Sequence, residues 1–345
     1  MKFRMLDVLN RDRNLLQLFV IAILVFALMS VLNPGKFLTM RNFESMSFQF
    51  PEYGILAIAM MLAMLTGGID LSVVGIANFA GILAAMVLTN WIPETAGNDT
   101  IVLMIVVAIL VALIIGATCG FLNGMLIAHF EITPILATLG TMQLFTGISI
   151  VITKGYAVTT YPDQFLYLGN GTIWIFPVPL LIFAFFAILF AFILRRTIFG
   201  IKLYMMGTNP TASRFSGVNN TLVLLKTYIT TGCLAGIAGI VMIARTNSAK
   251  ADYGASYILQ SVLIAVLGGV NPSGGFGTVL GLIVAILSLQ FLSSGFNMLR
   301  FNNFAKEFTW GLFLLFVMVF NYLMNERRTK RESMKGLADH EHHPV

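Results

Sequence analysis

The segment Thr66-Gly67-Gly68-Ile69-Asp70-Leu71-Ser72 sets two glycines, a carboxylate and a hydroxyl between two apolar runs, residues 55–65 and 73–88. Glycine loosens a helix, and an aspartate near the centre of a bilayer costs about 2.5–3.5 kcal/mol on insertion scales. Non-helical backbone at membrane depth is tolerated where it is buried in protein or lines a wet cavity. Two structures satisfy this: a broken membrane helix beside a transport path, or a short cytoplasmic turn between two spans.

A second interruption, Leu267-Gly268-Gly269-Val270-Asn271-Pro272-Ser273-Gly274-Gly275-Phe276-Gly277, has a similar composition. Aligned with the first, it pairs Gly67 with Gly268, Gly68 with Gly269, Asp70 with Asn271 and Ser72 with Ser273. Paired glycine or proline breaks in two halves of a chain point to a transporter's binding region. The span count given below runs both breaks in the same direction, which does not suit an inverted repeat.

Two further constellations have a physical reading. Gly116, Gly120 and Gly124 recur every four residues beside Asn123; small residues at that spacing let helices approach, and an asparagine can hydrogen-bond across the contact. The polar connection Gly207-Thr208-Asn209-Pro210-Thr211-Ala212-Ser213-Arg214-Phe215-Ser216-Gly217 reads as a short helix, with Asn209 as N-cap, Pro210 at the first helical position and Gly217 closing the end. A two-turn helix is marginal alone, so it is expected to pack against something.

Enzymatic chemistry is not expected. There is no G-x-x-x-x-G-K-[ST] phosphate loop, no His/Cys/carboxylate cluster for a metal, and no nucleophile with a base and an orienting group. No cofactor is expected. Asp70 reads as the one acidic residue inside the apolar region, too little for a proton relay. His340, His342 and His343 sit in a polar tail, where a solvated end is expected rather than a metal site. His129 is expected at the membrane surface.

The elements that must position these residues are membrane spans. Of 345 residues 58% are hydrophobic and 10% charged, against about 25% charged in soluble domains. At roughly 20 residues per span the chain holds eight to ten and no separate soluble domain. The apolar runs are 15–32, 51–66, 71–89, 101–128, 132–153, 173–194, 221–244, 257–270, 277–299 and 307–324, with the second and eighth short and a turn-rich loop at 154–172. The first is read as a retained span rather than a cleaved signal. Cys119 and Cys233 fall inside apolar runs and read as small buried hydrophobes.

Ten crossings put both termini on one side. That side receives fourteen of the 21 Lys and Arg residues, among them Lys2, Arg4, Arg11, Arg13, Arg195, Arg196, Lys202, Arg214 and Lys226. The other side receives seven, including Arg245 and Lys250. The positive-inside rule makes the richer side cytoplasmic. The expected organisation is a cytoplasmic segment 1–13, a membrane domain 14–325 with a cytoplasmic loop at about 195–220, and a cytoplasmic tail 326–345.

These residues carry a family resemblance. Gly67-Gly68-Ile69-Asp70-Leu71-Ser72-Val73 resembles the hallmark of permease subunits of bacterial ABC importers for ribose, xylose, galactose and related sugars, within the branched-chain amino acid permease superfamily. Gly120-Phe121-Leu122-Asn123-Gly124 and Thr133-Pro134-Ile135-Leu136-Ala137-Thr138-Leu139-Gly140-Thr141 resemble the next two family segments. Gly207 to Gly217 resembles the loop that docks on the ATPase, and Leu267-Gly268-Gly269 onward the last motif. The chain departs at Val74, where the family usually has glycine, and at Asn271-Pro272.

The resemblance implies an all-α inner-membrane permease of type II-like fold, with about ten helices, some short or broken. It implies cytoplasmic ATPase subunits, an extracytoplasmic solute-binding protein and a second permease copy or paralogue as partners, with membrane lipid around them and no nucleic acid. The cargo would be a monosaccharide or similar small polar solute; a nucleoside, an autoinducer sugar or a branched-chain amino acid is the alternative within the superfamily, and an ion-coupled secondary transporter the alternative outside it. Translocation residues would be Gly67, Gly68, Asp70, Ser72, Asn123, Gly268, Gly269, Asn271 and Ser273. Residues coupling to the ATPase would be Gly200, Gly207, Asn209, Pro210, Ala212, Arg214 and Gly217. Asp70 is expected to orient the start of the next helix, whose positive end suits a carboxylate, rather than to touch sugar.

Overall fold

The structure is a computed structural model that describes residues 13–93, 96–302, 304–316 and 319. The expected cytoplasmic segment through Arg11, Glu94, the tail and its histidines lie outside the described residues. Eight described helices are long and apolar enough to cross a membrane. They are α1 (Arg13–Leu32), α2 (Met40–Leu65), α3 (Val73–Asn90), α4 (Asn98–Ala128), α5 (Pro134–Thr153), α7 (Val178–Arg196), α10 (Asn220–Thr246) and α12 (Val279–Met298). Shorter helices are α6 (Asp163–Asn170), α8 (Ile198–Thr208), α9 (Pro210–Phe215) and α11 (Ser256–Leu267). Residues 304–316 are helical and belong to a separate compact unit that begins at Asn302; the tenth expected crossing is thus described in part.

Burial divides the spans into an inner and an outer set. In α2, 89% of the most apolar window is buried and in α10 78%, against 22% in α1 and in α4. The outer helices turn Ile23, Leu24, Leu110, Ile114, Ile188 and Phe192 outward, as lipid-facing surfaces should. The inner helices bury nearly continuous apolar surface, such as residues 55–65 of α2, all fully inaccessible.

Close backbone approach holds α4 to α10. Gly116, Gly120 and Gly124 face Gly232, Tyr228 and Leu225, and a Cβ on Gly124 would meet the Leu225 Cα at 3.1 Å. Ala112 accepts the same intimacy with Gly236, where an added Cβ would lie 2.5 Å from the Ala112 carbonyl oxygen. Small residues here permit dispersion contact along the two backbones. Cys119 is buried in this region, Cys233 half-buried, and both are free thiols, as their apolar setting implies.

Three expectations need correction. The second span is not short: α2 runs for 26 residues from Met40, with Pro51 inside it. Its polar first half (Glu44, Ser45, Ser47, Gln49) reads as a loop in sequence, yet Ser47 Oγ bonds the Glu44 carbonyl (2.7 Å) and Gln49 Nε2 bonds Ser45 Oγ (2.8 Å). Local hydrogen bonds thus keep these side chains compatible with a helix. The 154–172 loop is not irregular throughout, since it forms α6 and a strand, β1 (Val158–Thr159). β1 pairs antiparallel with β4 (Ser248–Ala249). A small hairpin of β2 (Thr172–Ile173) and β3 (Phe176–Pro177) then delays the sixth span to Val178.

Candidate translocation and coupling site

The first break exposes Gly67 but buries Gly68, Asp70 and Ser72. α2 ends at Leu65, Gly67 takes φ +84°, and the Gly68 N–H reaches back to the Ala63 carbonyl at 3.3 Å. This closes the helix with a left-handed residue, which glycine adopts without a Cβ penalty. The chain then enters a pocket of α4, α5 and α10. A Cβ on Gly68 would meet Tyr228 Oη at 2.7 Å and Pro134 at 2.9 Å. Leu71 N–H donates to Thr138 Oγ1 at 3.1 Å.

Asp70 is fully buried and held entirely by neutral donors. Its Oδ1 accepts from the Ser72 N–H (3.0 Å) and Ser72 Oγ (2.6 Å), and its Oδ2 from Thr231 Oγ1 (3.0 Å). Asn123 Nδ2 in turn donates to Ser72 Oγ at 2.7 Å. Asp70, Ser72, Asn123 and Thr231 are all inaccessible. Three segments, the first break, α4 and α10, are therefore joined in one network beside the start of α3. In this conformation Asp70 organises the start of α3 and faces no open path. Asn123, with its Gly neighbours, serves both helix contact and this network.

The second break has the same design, but the glycine register differs from the sequence pairing. α11 ends at Leu267, Gly269 takes φ +81°, and the Val270 N–H reaches the Ala265 carbonyl at 3.0 Å. Gly67 therefore corresponds to Gly269 and Gly68 to Val270, one residue away from the alignment by residue type. Gly268 instead packs on Leu282 of α12. The Asp70–Asn271 pairing does hold geometrically: each side-chain Oδ1 accepts from the N–H two residues on, Ser72 or Ser273, at 3.0 Å in both. Asn271 and Ser273 stay accessible, whereas Asp70 and Ser72 do not. The first break thus carries one residue more between its helix end and its side-chain turn.

The connection between α7 and α10 meets both breaks. In α9 the Asn209 Oδ1 accepts from the Ala212 N–H (2.9 Å), Pro210 starts the helix, and Gly217 closes it at φ +80°. Asn220 bonds Ser213 Oγ (3.0 Å) and donates to the Pro210 carbonyl (2.8 Å), fastening the helix to the start of α10. Arg214 is exposed, as is Ala212, and Phe215 is 89% exposed. α8 begins where Thr197 Oγ1 accepts from the Gly200 N–H at 3.3 Å. Its last turn holds Gly207, where an added Cβ would run into the Leu65 carbonyl and lie 2.5 Å from Gly275 N. Tyr204 Oη donates to the Gly277 carbonyl at 2.7 Å. Gly275 N–H donates to the Leu65 carbonyl at 3.0 Å. A Cβ on Gly67 would meet the Ser273 carbonyl at 3.2 Å. The two breaks and the end of α8 form one backbone junction, so α2 and α11 finish on the same side.

Asp70 is not the only acidic group in the apolar region. Glu52, in the middle of α2, is fully buried and paired with Arg245 near the end of α10. Arg245 also reaches the second carboxylate oxygen (3.3 Å), and Tyr257 Oη donates to it at 2.9 Å. The neighbouring Tyr53 donates to Gln290 Oε1. A carboxylate buried in a span pairs in this way because it has no solvent of its own. Above the pair, Asn78 Nδ2 donates to the carbonyls of Ala251 (3.0 Å) and Tyr253 (2.9 Å), drawing residues 250–255 down between α3 and α10. Burial and the nearby Glu52 carboxylate raise the Tyr253 phenol above its ordinary value, so it stays neutral.

Sequence reasoning missed Glu52, Thr231, Tyr204, Arg245 and Tyr257. The polar interruption Pro51-Glu52-Tyr53-Gly54 is a signal for the first, although it also suits the edge of a span. Nothing in the pattern marks Tyr204 or Thr231. Among the described residues no group of three or more metal-ligating side chains is present.

Comparison with known proteins follows the same pattern. Residues 42–321 match the family described as branched-chain amino acid transport system / permease component. The ribose import permease protein RbsC of Haemophilus influenzae is 31% identical over 310 residues, 88% of this chain and 92% of its own length. The autoinducer 2 import system permease protein LsrD of Yersinia pseudotuberculosis is 29% identical over 339 residues, 95% and 97% of the two chains. No solved structure matches the chain. With its apolar helices, the chain is a multi-pass protein of the inner membrane, and it belongs to the family of branched-chain amino acid transport system permease components.

Proposed function

We propose that this chain is the membrane subunit of an ATP-driven importer for a monosaccharide or a similar small polar solute. Separate cytoplasmic subunits hydrolyse the ATP, an extracytoplasmic binding protein delivers the solute, and a second copy or a paralogous permease completes the path. The observation that carries this reading is the self-capped helix α9, which presents Arg214 and Phe215 outward while its root at Gly207 touches both glycine breaks. A helix of six residues does not persist alone, so a fastened one with an exposed aromatic tip suits docking on another subunit. In this reading Asn209, Pro210, Ala212, Arg214 and Gly217 form the docking element, with Gly200 and Gly207 bounding its arm. Gly67, Gly68, Asp70, Ser72, Asn123, Gly268, Gly269, Asn271 and Ser273 shape the inner end of the translocation region.

A sugar cargo is supported by the ribose permease relative, and an autoinducer sugar by the relative that spans 95% of this chain. An ion-coupled transporter would use free intramembrane carboxylates, whereas Asp70 and Glu52 are both fully engaged. The test is uptake of labelled ribose and of labelled autoinducer 2 by cells with and without the gene. Loss of one uptake, restored by the gene, is expected. Unchanged uptake of both, and of other labelled monosaccharides, would reject the sugar assignment.

A further inference from the structure

We infer that α8, through Tyr204 and Gly207, is the arm that ties the docking helix to both glycine breaks, so that displacing α9 moves the two breaks together. This rests on the reading of α9 as the place where an ATPase subunit docks.

Three contacts join α8 to the breaks, one through a tyrosine side chain and two through close backbone approach. Tyr204 Oη reaches the Gly277 carbonyl at 2.7 Å from one turn before the end of α8. Gly207 lies against the Leu65 carbonyl and the Gly275 N–H with no room for a Cβ. Thr208 closes over Gly275, where an added Cβ would lie 2.8 Å from the Thr208 Cα. The breaks are also joined to each other, by the Gly275 N–H to Leu65 carbonyl bond and by the Gly67–Ser273 approach.

The breaks themselves are the compliant parts. Gly67, Gly269, Gly274 and Gly275 all have positive φ, between +80° and +95°, where glycine is free to rotate and other residues are not. α8 is a continuous helix of 11 residues, so a push at α9 arrives at Gly207 with little loss. Beyond the first break lies the Asp70 network, through which α3, α4 and α10 are bonded. Beyond the second lies α12. Rigid arm, glycine hinges and bonded helices form the kind of contiguous element that energetic coupling requires.

The test uses the importer complex with its ATPase subunits, in a background carrying Cys119→Ser and Cys233→Ser. Single cysteines, Thr66→Cys at the first break and Ser273→Cys at the second, report accessibility to a maleimide with and without a non-hydrolysable ATP analogue. Nucleotide is expected to change both labelling rates together. Tyr204→Phe removes one hydrogen bond without changing shape; it is expected to shrink both nucleotide responses by about five-fold, one net hydrogen bond's worth. ATPase co-purification stays at the parent value, and the melting temperature falls only by what one hydrogen bond is worth. Gly207→Ala is expected to abolish the responses, and if it fails to fold, Tyr204→Phe still decides. Nucleotide responses that persist unchanged in Tyr204→Phe, or that differ in direction between the two breaks, overturn the inference alone. Failure of the parent chain to co-purify with ATPase subunits overturns the functional reading, and the inference with it.

Discussion

The carbonyl oxygen of Leu65 accepts a hydrogen bond from the backbone N–H of Gly275 at 3.0 Å. Leu65 is the last residue of α2 and Gly275 lies in the loop after α11, so this bond makes one junction of two helix ends that are remote in sequence. Gly207 is wedged against both partners of the bond.

The junction predicts a graded response to added methyl groups. Gly269 has φ +81° but open space around it, so Gly269→Ala costs only backbone strain, about 1 kcal/mol. Gly275 has φ +80° and meets Thr208 as well, so Gly275→Ala should cost about 2–4 kcal/mol. Melting of purified protein in detergent should rank Gly269→Ala well above Gly275→Ala. Equal melting temperatures would mean that the contact with α8 is slack.

Asp70 binds three neutral donors, and one of them, Ser72 Oγ, accepts a further bond from Asn123. Asp70→Ala strands the Ser72 N–H and hydroxyl donors in a dry site, at about 1–3 kcal/mol each, while Thr231 keeps the Tyr228 carbonyl. Asp70→Asn keeps the shape and an acceptor oxygen, so it should lose much less. Comparison of folded yield and melting for the two variants checks this. A silent Asp70→Ala would remove Asp70 from any organising role.

For the buried ion pair the direction is also fixed. Glu52→Gln or Arg245→Met alone leaves one charge without its partner, expected to cost about 3–5 kcal/mol. Replacing both together should recover part of that loss, because no unpaired charge remains. A double-mutant cycle on melting free energy measures the coupling. Additive losses would show that Glu52 and Arg245 act independently.

At α9, the proposed docking helix, the expected effects fall on association, not on folding. Phe215 is 89% exposed and Arg214 is exposed, so Phe215→Ala and Arg214→Glu should melt like the parent. Each should weaken capture of the ATPase subunits about ten-fold or more, the usual loss at an interface anchor. Quantitative co-purification from membranes reads this directly. Normal recovery of the complex from both variants would remove α9 from the interface.

Much of this architecture is legible from residue types. The long apolar runs give the outer helices nearly to their ends, and Asn209-Pro210 with Gly217 gives α9 because capping is local chemistry. The glycine ladder of α4 gives its partner contact because close approach needs small residues whatever the partner is. What was not legible depends on tertiary structure. The polar first half of α2 is fastened from outside, where Asn42 Oδ1 accepts from Ser294 Oγ of α12 at 2.7 Å. Glu52 looks like a span boundary until Arg245, from a helix distant in sequence, arrives beside it. The glycine register of the second break cannot be read by matching letters, because φ at Gly269, not the identity of Gly268, sets which residue turns the chain. Tyr204 carries no mark at all, since its importance lies in the carbonyl it meets.

The most direct test of the central claim is reconstitution in liposomes. The permease, its ATPase subunits and the binding protein are combined, and uptake of the labelled solute is followed with ATP at the cytoplasmic face. Uptake that requires ATP, and that is lost with Phe215→Ala although the permease remains folded, is the predicted result. Uptake by the permease alone, driven by an ion gradient without ATPase subunits, would contradict it.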